Sequence, residues 1–293
     1  MNIEYIDYID YIDYIDYIDY IDYIDYIFSI GVIIFLGVYF YLQNNWVELE
    51  HITIKINNLP EGLHVLKIAH ISDLHIPNNA SDIDSLAKLV KNESPDIIVM
   101  TGDLIYKHKT IREKELGRFC RRMSDIARTY AVTGNHEAWN DTEKWYEILD
   151  SNNVKVIDNS FDVYEKNGSS VIFMGLKEGF KYHDIFWKSV IEENVPKILL
   201  SHRPELFQDY CSGLNSVKPD IVFCGHAHGG QFRVPFINKG IYSPEQGIFP
   251  KYTSGLYESH NKTYMVVSRG LGNSAFRLRI NNRVHIPVVT LWL

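Results

Sequence analysis

Short apolar runs alternate with amphipathic segments along most of the chain, and this alternation predicts an α/β fold of sheets covered by helices. The runs that predict strands are residues 66–71, 96–101, 129–133, 170–175, 197–201, 220–224, 264–268 and 287–291. Apolar residues at the spacing of one helix face predict helices across 83–90, 116–127 and 145–149. Ser81 or Asp82 is the expected cap of the first helix, and alternating isoleucines at 52–56 predict an edge or half-exposed strand.

The N-terminus departs from this pattern, because residues 5–25 consist of Tyr-Ile-Asp repeated seven times. A period of three moves successive Asp side chains around a helix and from side to side of a strand, so neither structure gains an apolar face to bury. We therefore predict no regular structure for residues 1–25, which form an acidic tandem repeat of low complexity without chemistry. An acidic surface tail is the alternative interpretation of this segment.

An uncharged apolar segment of 17 residues runs from Tyr26 to Leu42. Its length reaches the lower end of what a bilayer-spanning helix needs, and the aromatic residues near its C-terminal end suit a membrane interface. The pattern predicts an uncleaved transmembrane anchor over residues 26–45. A buried core helix is the alternative, and a cleaved signal peptide is disfavoured because no small-x-small site follows Leu42.

These boundaries predict three parts, namely the repeat at 1–25, the anchor at 26–45 and one globular domain at 46–293. A single N-terminal pass would hold the protein at the cell membrane. The positive-inside rule does not assign the side on which the domain lies, because no Lys or Arg precedes Lys55.

The charge of the chain separates the repeat from the domain. Residues 1–26 contain Glu4 and seven Asp but no Lys or Arg. Removing these eight acidic residues from the total of 37 leaves 29, which balances the 29 Lys and Arg of the chain. A neutral domain lacks the basic surface that nucleic-acid binding requires, so we expect no specific nucleic-acid partner. Three cysteines without a CxxC spacing favour neither a disulfide framework nor a zinc finger.

Potential metal ligands or proton donors directly follow five of the predicted strands. In chain order they are Asp73 and His75, then Asp103, then Asn135 and His136, then His202, and finally His226 and His228. Sites in α/β sheets assemble at the carboxyl ends of strands, because the loops there are free while the strands hold position. Apart from His136, the set of two Asp, one Asn and four His suits Mn, Fe, Zn or Co. Seven ligands are too many for one tetrahedral ion but suit two ions that share a carboxylate, a centre that acts on phosphorus.

The motifs D-x-H, G-D, G-N-H-E, a lone H and G-H-x-H, in this order between Asp73 and His228, resemble those of the calcineurin-like metallophosphoesterases. The resemblance implies the family fold, an α/β sandwich of two packed mixed β-sheets flanked by helices. It also implies two divalent or trivalent metal ions per chain, whose identity among Mn, Fe, Zn and Co is open. The first ion would be held by Asp73, His75 and His228, the second by Asn135, His202 and His226, and Asp103 would bridge them. His136 would be the catalytic residue that assists the leaving oxygen as a general acid.

Within this family the chain is more similar to bacterial membrane-anchored or exported phosphoesterases than to the protein Ser/Thr phosphatases. The latter carry an acidic and Asp-Arg-Gly signature after G-D, whereas Leu-Ile-Tyr-Lys follows Asp103 here. The similarity to the bacterial branch lies in residues 229–231, 247–257, 268–272 and 277–283. One departure is Val-His-Ile at 284–286, where the branch has Pro-Glu-Ile, and it affects a strand entry rather than a ligand.

Five further residues near the motifs have open roles. Arg203 could contact a phosphate or serve the fold. Gly229 and Gly230 could allow a close approach to substrate or metal, or could form a turn with positive φ. For His70 and His183 we expect a structural role.

The resemblance implies a phosphoesterase, more specifically a phosphodiesterase, in which a metal-bridging hydroxide attacks phosphorus in line and breaks a P–O bond. The substrate could be a lipid-linked phosphodiester, a cell-wall precursor or a nucleotide, and the membrane anchor does not decide among them. A non-catalytic, membrane-tethered binder of a phosphorylated lipid or nucleotide is one alternative, and it predicts the loss of one or more ligands. A nuclease of the same superfamily is disfavoured by the neutral charge and by the lack of a basic groove with interleaved aromatic residues.

Overall fold

Two six-stranded mixed β-sheets lie at the centre of the fold, in a computed structural model that describes residues 4–57, 59–78, 82–107, 109–182, 194–212, 217–237, 239–273 and 278–293. The chain divides into two compact units, Met1–Leu42 and Gln43–Leu293. Both sheets belong to the second unit. The mixed sheets with helices confirm the predicted α/β sandwich.

The first sheet has the strand order β1–β14–β2–β3–β4–β5. Its strands are β1 (Glu48–Lys55), β2 (Lys67–Ile71), β3 (Ile97–Thr101), β4 (Arg128–Val132), β5 (Val154–Val156) and β14 (His285–Trp292). Strand β14 runs parallel to β1 and antiparallel to β2, and β2 to β5 are mutually parallel. Strand β1 lies at the edge with Ile52 and Ile54 buried, as the isoleucine alternation predicted.

The second sheet has the order β12–β13–β9–β8–β7–β6. Its strands are β6 (Ser160–Lys166), β7 (Ser169–Gly175), β8 (Lys197–Leu200), β9 (Ile221–Cys224), β12 (Gly255–Glu258) and β13 (Tyr264–Val267). Strands β7, β8, β9 and β13 are parallel, and the outer strands β6 and β12 are antiparallel to their neighbours. A separate short hairpin joins β10 (Tyr242–Ser243) to β11 (Gly247–Ile248).

Three of the helices confirm the predicted amphipathic segments. The helices are α1 (Glu4–Asn45), α2 (Ile83–Glu93), α3 (Glu113–Ser124), α4 (Asn135–Ala138), α5 (Thr142–Asp150) and α6 (Phe207–Ser212). Asp82 caps α2 by accepting a hydrogen bond of 3.0 Å from the backbone N–H of Ser85. The strands β5 and β6 and the short helices α4 and α6 had no predicted counterpart, because segments of three to seven residues contain too little of either period to detect.

Alternating side chains of the central strands fill the space on both faces of each sheet. In β3, Ile97 and Val99 point between the two sheets, while Ile98 and Met100 pack under the helices. All four are fully buried. Burial on both faces explains why the sequences of these strands are continuous apolar runs rather than an alternation of apolar and polar residues. It also holds the strand ends rigidly, so the loops that follow them start from defined positions.

The N-terminal repeat is helical, and the prediction that it has no regular structure was wrong. Helix α1 contains the repeat and the apolar segment without interruption. A period of three decides which faces of a helix are polar, but it does not affect the hydrogen bonds within the backbone, and no Gly or Pro interrupts residues 4–30. Within α1, Asp22–Asn45 has the length and composition of a membrane-spanning helix, starting four residues before the predicted anchor, and its most apolar stretch is not buried.

Candidate metal centre

The five predicted loops come together at one end of the two facing sheets. The strands that carry them, β2, β3 and β4 in one sheet and β8 and β9 in the other, run parallel within each sheet. Backbone hydrogen bonds join the loops directly, from Asp73 N to Gly102 O at 3.0 Å and from Gly225 N to His202 O at 3.1 Å. His202 Nδ1 donates to the carbonyl oxygen of Thr101 at 2.7 Å and so links the two sheets. The seven predicted ligands are therefore neighbours in space.

Three of these residues, Asp73, His75 and His228, form a first group whose donor atoms all lie within 4.8 Å of one another. The Nε2 atoms of His75 and His228 are 3.1 Å apart, and Nε2 of His228 is 3.5 Å from a carboxylate oxygen of Asp73. This is the set that the family resemblance assigns to the first ion.

A second group contains Asp103, His202 and His226, again within 4.8 Å. His202 Nε2 lies 3.4 Å from Asp103 Oδ2, 3.1 Å from His226 Nδ1 and 3.1 Å from the amide oxygen of Asn135. The same Asp103 oxygen is 3.9 Å from His75 Nε2, so this carboxylate lies between the two groups. The structure therefore brings all seven predicted ligands together.

The donor set fits metal ions. All seven residues are at most 6% exposed, and two carboxylates buried this deeply require compensating positive charge. Within the described residues, Nδ1 of His75 and Nδ1 of His228 have no hydrogen-bond partner, and their Nε2 atoms face one another. Nitrogen and oxygen donors without sulfur suit first-row divalent ions.

Burial keeps the imidazoles of the first group neutral, which is the form that binds a metal. It lowers the pKa of His75 to about 3 and holds the pKa of His228 well below its ordinary value. Burial alone would raise the pKa of Asp103, but the neighbouring imidazoles, above all His202, hold it well below its ordinary value. Asp103 is therefore an ionised carboxylate between the two groups.

His202 shows how strongly the two carboxylates attract positive charge. Burial acts to lower the pKa of His202, but the carboxylates of Asp103 and Asp73 raise it well above the ordinary value. The bond to Thr101 uses the Nδ1 proton, because a carbonyl oxygen only accepts. Nε2 therefore faces the second group, where a cation and a proton compete for the same position.

Five of the seven ligands have a backbone conformation that side-chain-bearing residues rarely adopt. Their φ angles are 51° at Asp73, 54° at His75, 54° at Asp103, 65° at His226 and 46° at His228. Each such residue costs about 1 kcal/mol or more, and it persists only where the surrounding structure holds it. The left-handed turns point consecutive ligands of one loop into the same small volume.

Two glycines of the motifs are required by close approach. A Cβ at Gly225 would lie 1.9 Å from Ser72 Oγ and 2.4 Å from a carboxylate oxygen of Asp73. A Cβ at Gly134 would lie 2.4 Å from a carboxylate oxygen of Asp103. Because both carboxylates belong to predicted ligands, any larger residue at these two positions would displace a ligand.

Glu137 positions two of the ligand loops, and the sequence interpretation had assigned it no role. Its buried carboxylate accepts backbone N–H bonds from Asp103 at 2.7 Å, Leu104 at 2.8 Å, Ile105 at 3.2 Å and Gly134 at 2.8 Å. Burial raises the pKa of Glu137 to about 8, and the charge of Asp103 acts in the same direction while the N–H groups oppose both. The available signal was an acidic residue three positions after Gly134, at the N-terminus of α4, where its side chain can reach back to the N-cap backbone.

His136 lies beside the centre, and its ring forms with His75 and Asp103 a third group of donor atoms within 4.8 Å of one another. Its backbone N–H donates to Asp103 Oδ1 at 2.8 Å, and its Nδ1 accepts from the N–H of Lys107 at 3.1 Å. The neutral ring must then carry its proton on Nε2, which is 3.8 Å from Asp103 Oδ2. Burial lowers the pKa of His136, which favours this neutral form.

A cleft of about 290 Å³ opens above the centre. Its walls include Lys107, Trp139, Gln231, Tyr242, Pro244 and Glu245, together with ligands and His136 at its floor. Glu245 was not predicted, yet its carboxylate accepts a hydrogen bond from Nε2 of His226 at 2.5 Å. This bond holds the ring with Nδ1 directed at the second group, an arrangement that commonly orients metal-bound histidines.

The other residues with open roles serve the fold where they are described. Arg203 is held by three carboxylates, at 2.5 Å from Glu178, 3.3 Å from Glu205 and 3.2 Å from Glu245. His70 Nε2 lies 2.8 Å from Thr101 Oγ1 in the core. Gly229 and Gly230 have φ angles of 66° and 76°. Added Cβ atoms there would meet Asn282 and Gly240. The role expected for His183 lies outside the described residues.

Comparison with known proteins gives a consistent assignment. The family profile described as calcineurin-like phosphoesterase matches residues 66–230. Phosphodiesterase YaeI of Escherichia coli is 25% identical over 266 residues, which cover 87% of this chain and 92% of YaeI. UDP-2,3-diacylglucosamine pyrophosphatase LpxG of Chlamydia muridarum is 24% identical over 286 residues, covering 79% of this chain and 85% of LpxG.

Among solved structures, the 5′-nucleotidase precursor of Thermus thermophilus has a similar fold. It superposes with a TM-score of 0.50 at 15% identity, over 71% of this chain and 49% of its own. The family profile covers more than half of the chain. The chain therefore belongs to the calcineurin-like phosphoesterases, a family of metal-dependent phosphoric ester hydrolases.

Proposed function

We propose that the chain is a phosphodiesterase that works with two metal ions at this centre. The observation that carries the proposal is the presence of two buried donor groups, Asp73–His75–His228 and Asp103–His202–His226, with the Asp103 carboxylate close to both. Asp73, His75 and His228 would hold one ion, and Asn135, His202 and His226 would hold the other. Bound divalent ions supply Lewis-acid activation of water and neutralise charge on the phosphoryl oxygens. A non-catalytic binder would be expected to lack one of these ligands, whereas every predicted position is filled.

His136 is the residue that we assign to the leaving group. The N–H of Lys107 occupies Nδ1, so the proton of the neutral ring is on Nε2 at the floor of the cleft. As the P–O bond breaks, negative charge develops on the departing ester oxygen. A hydrogen bond from the Nε2–H group to that oxygen stabilises the charge, and the departing oxygen then takes its proton from water to give the free alcohol.

The charge of the cleft supports a diester rather than a monoester as substrate. Among the described residues that line it, Lys107 is the one lysine or arginine, and Glu245 adds a carboxylate. A phosphodiester carries one negative charge, whereas a phosphomonoester carries up to two near neutral pH. The diester therefore meets less repulsion from Glu245 and needs less compensation from Lys107.

The N-terminal helix supports a membrane location. Asp22–Asn45 has the length and composition of a membrane-spanning segment, and this similarity favours residues 26–45 as a single-pass anchor for a catalytic domain over residues 46–293. The anchor by itself leaves lipid-linked, cell-wall and nucleotide phosphodiesters open as substrates.

Hydrolysis by the full chain, loaded in turn with Mn, Fe, Zn or Co, tests this function. We expect faster turnover of bis(4-nitrophenyl) phosphate than of 4-nitrophenyl phosphate, with about two ions bound per chain. Asp103→Asn should abolish turnover while circular dichroism shows a folded protein, and the exposed Glu143→Gln is the control. The proposal is contradicted if none of the four ions supports turnover, or if Asp103→Asn keeps full turnover. Preferential cleavage of single-stranded DNA would replace it with a nuclease.

A further inference from the structure

An apolar surface adjoins the cleft and takes no part in the chemistry derived above. It is built from residues 232–249, here named the cleft meander, of which residue 238 lies outside the described part. Backbone bonds run from Val234 N to Lys239 O at 2.9 Å, from Ile241 N to Phe232 O at 2.8 Å and from Phe249 N to Ile241 O at 2.8 Å. The meander begins two residues after Gly230 and continues into the cleft wall at Tyr242, Pro244 and Glu245.

The meander exposes large apolar side chains at its turns and edges. Phe236 is fully exposed, and the exposed fractions are 63% at Ile237, 72% at Ile248 and 68% at Phe249. A folded protein tolerates isolated exposed apolar residues, but four large ones on one short segment beside a cleft indicate an interaction surface. Leu278 and Ile280 extend the group, because Ile280 O accepts a bond of 3.0 Å from the backbone of the meander at Arg233.

Charged and aromatic residues around this surface suit a bilayer interface. Within the meander Lys239 is exposed, whereas the carboxylate of Glu245 is engaged by His226. Elsewhere in the cleft wall, Trp139 is 51% exposed and the ammonium group of Lys107 lies 4.6 Å from the centre of its ring. Tryptophan and lysine are the residues that anchor proteins at the level of lipid headgroups, where one end of the side chain is apolar and the other polar.

Gln43, the first residue of the globular unit, is linked by hydrogen bonds to a loop of the metal centre. Gln43 Oε1 accepts a bond of 2.8 Å from the backbone N–H of Asn282. The side-chain amide of Asn282 donates to the carbonyl oxygen of His228 at 2.8 Å and to that of Gln231 at 3.0 Å. Gln43 is thus separated from a ligand loop by one asparagine. The globular unit is therefore joined to the candidate membrane-spanning segment Asp22–Asn45 at a point close to this loop.

We propose that the cleft meander inserts its apolar side chains into the surface of a lipid bilayer, so that the cleft opens onto the headgroups. The substrate class is then a phosphodiester within a membrane lipid, rather than a soluble nucleotide. The substrate part of this inference rests on the proposed phosphodiesterase function, whereas the insertion does not. Insertion covers the apolar group, and Lys107 and Lys239 face anionic headgroups.

Insertion is measured by the environment of a fluorophore on the meander. Cys120, Cys211 and Cys224 are buried, so a thiol-reactive fluorophore attaches selectively to an introduced cysteine. The full chain carrying Ile248→Cys or, as control, Val163→Cys at a 46% exposed position of β6 is reconstituted into vesicles of phosphatidylcholine and phosphatidylglycerol. Nitroxide-labelled phospholipid should quench the fluorophore at position 248 and not at 163. No quenching at 248, or equal quenching at both positions, overturns the insertion.

The substrate class is measured with the same vesicles. The rate on fluorescent phosphatidylglycerol within the bilayer, divided by the rate on bis(4-nitrophenyl) phosphate, should fall about tenfold in Ile237→Ser/Ile248→Ser. The control Val163→Ser/Phe180→Ser changes exposed apolar residues outside the meander and should keep the wild-type ratio. An unchanged ratio in the meander variant overturns the lipid assignment. A wild-type protein that hydrolyses neither compound would refute the proposed function, while the quenching result would still decide on insertion.

Discussion

Replacing Glu137 with Gln tests whether a single buried carboxylate holds the two ligand loops together. One oxygen accepts the N–H groups of Leu104 and Ile105, and the other accepts those of Asp103 and Gly134. Gln keeps the shape of the side chain but turns one of these oxygens into an NH₂ group. With the amide oxygen toward Leu104 and Ile105, two buried N–H donors face another donor.

The expected loss of stability comes from these two unpaired N–H donors. Leaving a buried donor unpaired costs about 1–3 kcal/mol, so we expect the free energy of unfolding to fall on the order of 3 kcal/mol. Because one of the two donors belongs to Asp103, the metal centre should also loosen. Loss of a group that orients metal ligands typically costs about 10- to 100-fold in metal affinity or activity.

The assay is denaturant unfolding of the full chain with a chelator present, at about pH 9, so that metal binding adds no stability and Glu137 is above its raised pKa. Metal affinity and diester hydrolysis are then measured at the same pH. The isosteric Glu143→Gln, at an exposed position of α5, is the matched control. Glu137→Gln with unfolding free energy within about 0.5 kcal/mol of wild type, and with unchanged metal affinity, would show that a neutral carboxyl suffices and refute the reasoning.

Three further changes separate catalysis, metal binding and stability. His136→Ala should lower kcat for bis(4-nitrophenyl) phosphate by about 10²- to 10³-fold with unchanged metal content, because the leaving oxygen loses the hydrogen bond that stabilises its charge; a simultaneous loss of metal would contradict this role. His228→Ala should weaken one metal site more than the other in a metal titration, since the ring belongs to the first group alone, and equal weakening of both would argue against two separate sets. Burial lowers the pKa of His70 from 6.5 to about 3. As the pH falls from 6.5 toward 3, the His70 ring is protonated in the unfolded chain but stays neutral in the folded one, so the folded state loses stability. The slope is about 1.4 kcal/mol per pH unit, and chemical unfolding of the chelated His70→Gln protein should show a correspondingly smaller loss of stability in acid, whereas an identical pH dependence would refute the assignment.

The alternation of apolar runs and amphipathic segments was enough to predict the architecture. Strands such as β3 are apolar on both faces because both faces are covered, and the apolar face of α2 is the one that packs on the sheet. These are local properties, since each depends on the order of neighbouring residues and on the period of one element. The same local reasoning failed for α1. A three-residue period determines which helix faces could be buried, but it does not determine whether the backbone forms a helix.

The identity of the candidate ligands was also a property of the sequence. A strand ends where its apolar run ends, and the residues that follow are near the sheet edge whatever the loop does later. Asp73, Asp103 and His202 could therefore be predicted to meet, although they are far apart along the chain.

Only the tertiary structure decided how these ligands are held and what surrounds them. Glu137 reaches the backbone of Asp103 across 34 positions, and Glu245 reaches His226 across 19, so no local pattern relates either pair. In the sequence, the apolar side chains of the cleft meander likewise cannot be distinguished from core residues, and only the structure shows that they are exposed. Periodicity and strand ends are set by short-range covalent order, whereas hydrogen bonds between distant loops and the exposure of a surface depend on how the whole chain packs.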